Sequence, residues 1–546
     1  MSKPLNQIIR ETTKDYLGRI DRKNLPNPED VETELLQNIN DAIETENAVI
    51  SKGRKMKYQH TLDFATIADI ISDLYHVYRI PCAGNEADEQ YDVLAMYQTS
   101  GPNKGIYITS EEAFHKIAQQ YNRLFSQHDF LELMSRLRAT SERKLMCTDP
   151  DLIAVNNGIF NYKTKELQDF TPDLVFLSKS HVDYVRNARN PVIHNPDDGT
   201  DWDVESWMRE LTDDPEITQL LWEIIGAIIR PNVRWNKSAW LYSQKGENGK
   251  GTLCELMRNI CGPGSYTSLE LENFGKDFRM EPLIHATAII TDENNTGEFI
   301  AKAAGIKAII TNDILQIDRK FKTPISFRFR GFMVQCINEL PRMKDKTDSM
   351  YRRQLFVPFS KSFTGTAREY IKDDYVGRPE VLHYVLWRVL NMDYYKLSEP
   401  LACRTLLSEY KEYNDPIRQF ADEIMPQLQW DLAPFSFLYD LYKAWYKDNA
   451  PSGILQSKSG FITDLLNILP ALPDWECRGK SARIRHGNMM DKPEPLIILY
   501  DLDKWKNGNY TGSDKDKICR PTLQPSYRGL IRVSAGAGVD DDNDAA

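Results

Sequence analysis

Only eight cysteines are spread over 546 residues, and no two form a CxxC pair; the nearest neighbours are Cys254 and Cys261. That indicates neither a zinc site nor a disulfide scaffold, and leaves reduced, mostly packed thiols as the expectation. Long hydrophobic runs are also missing. The most apolar stretch, Leu220 to Ile229, is ten residues long and contains Glu223, about half the ~20 residues that a membrane-spanning helix needs. The start, Met1-Ser-Lys-Pro-Leu-Asn-Gln, lacks the apolar core of a signal peptide. A cytoplasmic protein without a membrane partner is expected. Positive charge is in deficit: 68 Lys and Arg stand against 79 Asp and Glu, a net charge of −11. A coat over nucleic acid is therefore excluded, whereas local basic surfaces inside a channel are not. Clustered carboxylates on a strand, which a polymerising primase site requires, are absent too. Asp149 and Asp151 flank a proline, and Asp201 and Asp203 flank Trp202 at a helix start.

What is present is globular: 41 % apolar and 27 % charged residues, in a chain long enough for three or four units at roughly 150 residues each. The most informative stretch is Trp240-Leu-Tyr-Ser-Gln-Lys-Gly-Glu-Asn-Gly-Lys-Gly-Thr252, an apolar strand running into a Gly-rich loop and then an amphipathic segment from Leu253. Gly246, Gly249 and Gly251 let the backbone offer N–H groups to an anion, with Glu247 and Asn248 between them. The following helix adds its positive dipole end. Lys250 supplies charge for terminal phosphates. The phosphate-loop pattern GxxxxGK[ST] wants Gly where Gln244 stands and Ser or Thr where Gly251 stands, so the magnesium-reaching hydroxyl moves to Thr252. Alone, the stretch is equally compatible with an ordinary loop between strand and helix.

Its partners follow in order. The apolar run Ala286 to Thr291 ends in Asp292-Glu293, one carboxylate to hold a hydrated magnesium ion and the next to orient and deprotonate an attacking water. A solvated strand end is the competing reading of that pair. Phe332 to Ile337 ends in Asn338, whose amide can bond both water and terminal phosphate. Arg352 and Arg353 come next. In a ring-forming ATPase one of them would reach the neighbouring subunit's nucleotide.

Gly-Glu-Asn-Gly-Lys-Gly-Thr252, Ile-Ile-Thr-Asp-Glu293, Cys-Ile-Asn-Glu-Leu-Pro341 and Tyr-Arg-Arg353 together resemble the superfamily 3 helicases, in the phage and plasmid replication branch often described as primases. The resemblance runs from about Leu152 through the ATPase core and more weakly to about Leu469. It implies an AAA+-like P-loop ATPase core within an α/β fold, ATP and Mg2+ as cofactors, and a homo-oligomeric, hexameric ring. It further implies 3′-to-5′ movement on single-stranded DNA, unwinding of forked DNA, and residence in a bacterial host cytoplasm for a phage or other mobile element. A primase, loader or origin-binding protein is the implied partner class.

Between the second and third motifs, Ile314 to Arg330 alternates as two strands with a turn near Lys322 to Pro324, and residues 318 to 330 hold five basic side chains against one acidic. Arg319, Lys320 and Lys322 near its tip would grip phosphates inside a ring; the alternative is a charged exposed hairpin. Upstream, helices are expected over Val31 to Ile43, Leu62 to Tyr78, Ser110 to Phe125 and Asp203 to Ile229. A hairpin is expected over Asp92–Gln98 and Ile106–Ile108, and short strands over Leu152–Asn161 and Phe170–Phe176. Downstream, helices over Ile417–Ile424, Phe435–Tyr446 and Ser459–Leu469 precede paired strands at Glu476–Arg485 and Leu496–Tyr500, a winged-helix-like pattern. Arg478, Lys480, Arg483 and Arg485 on the first of these suit phosphate contact, with a protein-docking wing as competitor. The expected divisions are 1–150 (α+β, for oligomerisation or for DNA or partner contact), 151–230 (mixed, then helical), 231–400 (ATPase core), 401–505 (winged-helix-like) and 506–546 (flexible acidic tail). Two other functions share these features. One is a nucleotide-switched initiator or loader that binds DNA without processive unwinding, and the other is a primase-helicase with priming in residues 1–150.

Overall fold

The computed structural model describes residues 3–536 apart from 23, 85, 86, 275, 277, 295–298, 301, 302, 321, 344, 367 and 450–454; for 52, 299, 322, 323, 342, 448, 449, 535 and 536 it describes the backbone only. The chain divides into two compact units, one of residues up to 345 with 352–406, the other of 346–351 with the residues from 407 onward.

The first unit begins with helices α1 (Leu5–Leu17), α2 (Pro28–Asn47), α3 (Phe64–Leu74), α4 (Glu111–Tyr121) and α5 (Gln127–Thr140) around an antiparallel sheet of β1 (Tyr78–Ile80), β2 (Val93–Tyr97) and β3 (Tyr107–Ile108). The cause of α2 is local: Asn27 caps it with Pro28 at its first position, and Val31, Leu35, Ile39 and Ile43 recur every four residues on its buried face. The expected helix to Phe125 stops at Tyr121. Asn122 turns extended there, and its amide donates to Leu62 O at 3.0 Å and accepts from Leu124 N at 2.9 Å.

A second antiparallel sheet follows: β4 (Leu152–Val155), β5 (Gly158–Asn161) and β6 (Glu166–Gln168). The strand expected over Phe170–Phe176 does not form; Val175 makes only a single bridge to Met146. A two-residue ladder, β7 (Ile193–His194) with β8 (Asp201–Trp202), leads into α6 (Val204–Glu210) and α7 (Pro215–Ile228). The segment expected as one helical stretch breaks because Asp214 caps a new helix whose first residue is Pro215. Every residue of α7 from Leu220 to Ile228 is buried, and its Glu223 carboxylate accepts Ser398 N at 2.7 Å and Ser398 Oγ at 2.9 Å. Hydrogen bonds to a charged group are worth about 1.5–3 kcal/mol each, which offsets the burial of that carboxylate.

The centre of the unit is a five-stranded, wholly parallel sheet built from β9 (Ser238–Tyr242), β10 (Tyr266–Thr267), β11 (Ala288–Thr291), β15 (Phe332–Ile337) and β17 (Gln354–Pro358). Its spatial order is β10-β11-β15-β9-β17. Between these run α8 (Lys250–Cys261), α9 (Ala304–Thr311), the antiparallel hairpin β13 (Ile314–Arg319) with β14 (Lys322–Arg328), and a short parallel pair, β12 (Phe299–Ile300) with β16 (Arg342–Met343). The helices α11 (Glu369–Asp373) and α12 (Pro379–Leu390) complete the unit, and α13 (Leu401–Asn414) crosses from it into the second. Residues 153–229 and the sheet share one apolar core, with Trp207, Leu221 and Ile225 packed together with Leu241, Leu253 and Val334. The expected division between 151–230 and 231–400 is therefore not a boundary between cores. The fold is mixed α/β with a parallel sheet.

The second unit contains α10 (Asp348–Tyr351), α14 (Pro416–Ile424), α15 (Phe435–Asn449) and α16 (Lys458–Ile468), with a three-stranded antiparallel sheet in the order β18 (Leu432–Pro434), β22 (Gly529–Arg532), β19 (Trp475–Glu476). β20 (Ile484–Arg485) pairs with β21 (Ser526–Tyr527). Two expectations fail here. Leu496–Tyr500 is not a strand but begins as the helical turn α17 (Leu496–Leu499), with Leu496 and Ile497 buried and Leu496 N donating to the Glu494 carboxylate just before it. The chain past 506 is not a flexible tail in its described part. It forms α18 (Lys515–Ile518), then β21 and β22, and closes with α19 (Val533–Gly536), and Leu530 and Ile531 are fully buried. The acidic run Asp540–Asp544 lies outside the described residues.

Candidate functional site

The Gly-rich loop leaves the carboxyl end of β9 and enters α8 through Gly249, which has φ +83°. A Cβ there would also lie 2.5 Å from Leu211 Cδ2, so the position requires glycine twice over. The Asn248 side chain and a backbone contact fix the rest of the loop. Asn248 donates to Lys245 O at 2.5 Å and accepts Lys250 N at 3.2 Å, while Glu247 O accepts Phe363 N at 2.7 Å. Gly246 is open, with nothing within 4 Å of a built Cβ.

Lys250, at the first turn of α8, is buried to 5 % exposure and donates to Asn338 Oδ1 at 2.8 Å and to Ile337 O at 3.0 Å. Burial lowers its pKa from the ordinary lysine value, opposed by the nearby Cys336, Cys254 and Asp292. The lysine of the first motif and the asparagine of the third thus meet, since β9 and β15 are adjacent parallel strands with Tyr242 in register with Ile337. On the other flank of β15, β11 delivers Asp292 to the same edge. Both carboxylate oxygens come within 3.7 Å of a Cβ built on Gly251, and Asp292 Oδ2 pairs with Arg258 Nη1 at 3.5 Å. Glu293 is exposed beside it. Thr252 lines a cavity of about 630 Å3 with Glu247, Gly249, Trp207, Phe363 and Lys372.

Other expected residues lie elsewhere. Arg352 and Arg353 precede β17, where Gln354 pairs with Ser238, and their carbonyls accept Lys237 Nζ at 3.0 Å and Ser238 N at 2.8 Å. They therefore stand at the amino edge of the sheet, a strand length of about 16 Å from the loop. In the hairpin, Lys320 is exposed and Arg319 half-buried, with burial lowering the Arg319 pKa; the side chain of Lys322 lies outside the described residues. In the second unit Arg478, Lys480, Arg483 and Arg485 are all exposed, but they span a turn between two short strands rather than one strand. Lys480 donates to Thr463 Oγ1 at 2.8 Å.

Sequence reasoning missed three residues of the site. Asn294 donates to Gln335 Oε1 at 3.0 Å and to Cys336 O at 2.9 Å, tying the end of β11 to β15. Its place directly after the acid pair was the available signal. Arg258, two turns along α8 from Lys250, reaches Asp292 by helical periodicity. Lys372 comes from α11, and its Nζ lies 3.5 Å from the Cβ position of Gly251; no local pattern announces it.

Three family models match in order along the chain: "D5 N terminal like" over 29–226, a "Family of unknown function (DUF5906)" over 241–353, and "Poxvirus D5 protein-like" over 412–504. A curated relative from Acanthamoeba polyphaga mimivirus, described as "Putative helicase L207/L206", is 24% identical over 230 residues, covering 39% of this chain and 22% of the relative. The chain thus spans about a fifth of that relative's length. Among solved structures, the C-terminal region of NrS-1 aligns over 82% of this chain and 95% of its own at 12% identity and a TM-score of 0.40. A JCV helicase bound to a small molecule aligns over 39% and 59% at 16% identity and a TM-score of 0.24. Both scores are below the level at which a shared fold follows. Models of the D5 type thus match on either side of the loop-bearing segment, and a relative described as a putative helicase is similar to part of the same chain.

Proposed function

We propose that the chain is an ATP-driven DNA helicase that works as a ring, because its own Arg352 and Arg353 stand a strand length from its loop and are placed to serve a neighbour. The observation that carries this reading is the convergence, at one edge of a parallel sheet, of Lys250 on Asn338 with Asp292 beside Gly251. ATP would lie along 246–252, with its phosphates on the loop N–H groups and Lys250, and its base in the cavity bounded by Trp207 and Phe363. The donor set fits magnesium: the half-buried Asp292 carboxylate and the Thr252 hydroxyl are hard oxygen ligands. When bound, that ion would neutralise phosphate charge. Glu293 takes the proton of the attacking water, Asn338 orients that water, and Lys250 holds the terminal phosphate. Arg352 or Arg353, at the far edge of the sheet, serves the nucleotide of the next subunit. A P-loop, AAA+-like core, a hexamer, 3′-to-5′ movement on single-stranded DNA and a mobile-element origin complete the proposal. The exposed Lys320 and the basic turn 478–485 are its DNA contacts.

The test is strand displacement on forked DNA with ATP. Wild type should release the strand, and Lys250→Ala should lose both hydrolysis and release. Normal hydrolysis by Lys250→Ala refutes the site; binding and hydrolysis without release makes the chain a nucleotide-switched initiator or loader. Arg352→Ala or Arg353→Ala mixed with Lys250→Ala should restore part of the hydrolysis if the arginine acts between subunits.

A further inference from the structure

Directly beneath the loop, α8 and β15 bring two thiols together. Cys254 Sγ and Cys336 Sγ are 3.3 Å apart, both buried, and a carboxylate oxygen of Asp292 joins them so that the three donor atoms lie within 4.8 Å of one another. Among the described residues this is the one such grouping of three ligating side chains. A tetrahedral zinc centre, with bonds of about 2.3 Å to sulfur and 2.0–2.2 Å to oxygen, needs donors about 3.6–3.8 Å apart. The sulfurs would have to open by about half an ångström, which is within a rotamer adjustment.

We propose that Cys254, Cys336 and Asp292 form a site for a thiophilic divalent cation, zinc above all, with water as fourth ligand on the exposed side of Asp292. Asp292, 29% exposed, gives the path of entry, since both thiols are enclosed. Binding converts two thiols to thiolates and releases two protons to solvent. The resulting centre, two thiolates and a carboxylate around a dication, carries one net negative charge. Lys250 and Arg258, both beside it, compensate that charge. Only one part of this inference rests on the proposed function: Asp292 would then be withdrawn from magnesium, and a bound zinc ion would slow ATP hydrolysis.

Cobalt(II) titration of the reduced full chain, without nucleotide, tests the site independently of any hydrolysis. One cobalt per chain is expected, with thiolate-to-cobalt absorption and visible bands of tetrahedral intensity. Zinc should displace it. Cys254→Ser and Cys336→Ser should each weaken binding at least a hundredfold and Asp292→Asn about tenfold, whereas Cys147→Ser and Cys477→Ser, at the two half-buried cysteines elsewhere, should change nothing. Absence of the thiolate band in wild type overturns the proposal without reference to any variant. A band that survives Cys254→Ser/Cys336→Ser overturns it equally. Hydrolysis at full rate with zinc bound would overturn the competition for Asp292 alone.

Discussion

Adding one methyl group at Gly249 and one at Gly246 should have very different consequences, although only Glu247 and Asn248 separate them. At Gly249 an alanine must hold φ +83°, which costs about 1–2 kcal/mol for an L-residue. Its Cβ would also stand 2.5 Å from Leu211 Cδ2, and relief of such overpacking costs about 1–3 kcal/mol more. The sum, about 2–5 kcal/mol, falls on the entry to α8. Gly246 has no positive φ and nothing within 4 Å of its Cβ, so Gly246→Ala should be near neutral. Thermal unfolding and nucleotide affinity, measured side by side, check this. At roughly 2–4 °C per kcal/mol, Gly249→Ala should melt at least 4 °C below wild type and bind ATP weakly. Leu211→Ala in that background removes the clash but leaves the φ cost, so the double loss should fall short of the two single losses added by about 1 kcal/mol or more. If Gly249→Ala melts with wild type, or Gly246→Ala is the worse of the two, the account of the loop is wrong.

Three further outcomes follow from the same geometry. Gly251→Ser should be tolerated, because its Cβ would meet Asp292 and Lys372 only at 3.5 Å, an ordinary contact. Hydrolysis lost in Thr252→Ala should return in Gly251→Ser/Thr252→Ala, and failure to return would remove position 251 as an alternative hydroxyl site. Lys372→Ala should raise KM for ATP roughly two- to fivefold, the scale of an exposed charge contact of about 1 kcal/mol or less, with the fold unchanged by circular dichroism; an unaltered KM would detach Lys372 from the nucleotide. Burial lowers the pKa of His285, as it does those of His76 and His181. The unfolded chain then binds the extra proton first, so stability is full above pH 6.5 and is lost as pH falls from 6.5 through the lowered folded values. His285→Gln, which can still bond Thr109 Oγ1, should flatten that fall in urea-denaturation midpoints; an unchanged slope would absolve His285.

The helices and the sheet strands were legible where periodicity and burial coincide. The four-residue spacing in α2 and the apolar runs ending in Asp292 and Asn338 announce both element and placement. Register on the parallel sheet then does what the sequence left implicit, bringing Lys250 to Asn338 across 88 positions. Elements with weak local signals were misread. Phe170–Phe176 alternates like a strand but pairs only through the single bridge of Val175 to Met146. Leu496–Tyr500 is apolar enough for a strand, yet it starts as a helical turn, with Glu494 just before it accepting Leu496 N at 3.4 Å and, from far along the chain, Gln429 N at 2.8 Å. The polar composition after Lys504 concealed β22, whose apolar pair Leu530-Ile531 is too short to stand out. Lys372 and Arg258 were invisible because their role depends on where α11 and α8 sit, not on what surrounds them in sequence.

β22 also governs when the second unit can exist. It is the middle strand, hydrogen-bonded to β18 from one side and to β19 from the other, and its partner Leu432↔Ile531 spans 99 positions. Neither outer strand has a sheet to join until residues 529–532 have been synthesised, so the unit cannot settle stepwise on the ribosome and must wait for a late, long-range closure. A nascent chain halted before Gly529 would leave β18 and β19 with unpaired edges, a ready substrate for chaperones and proteases.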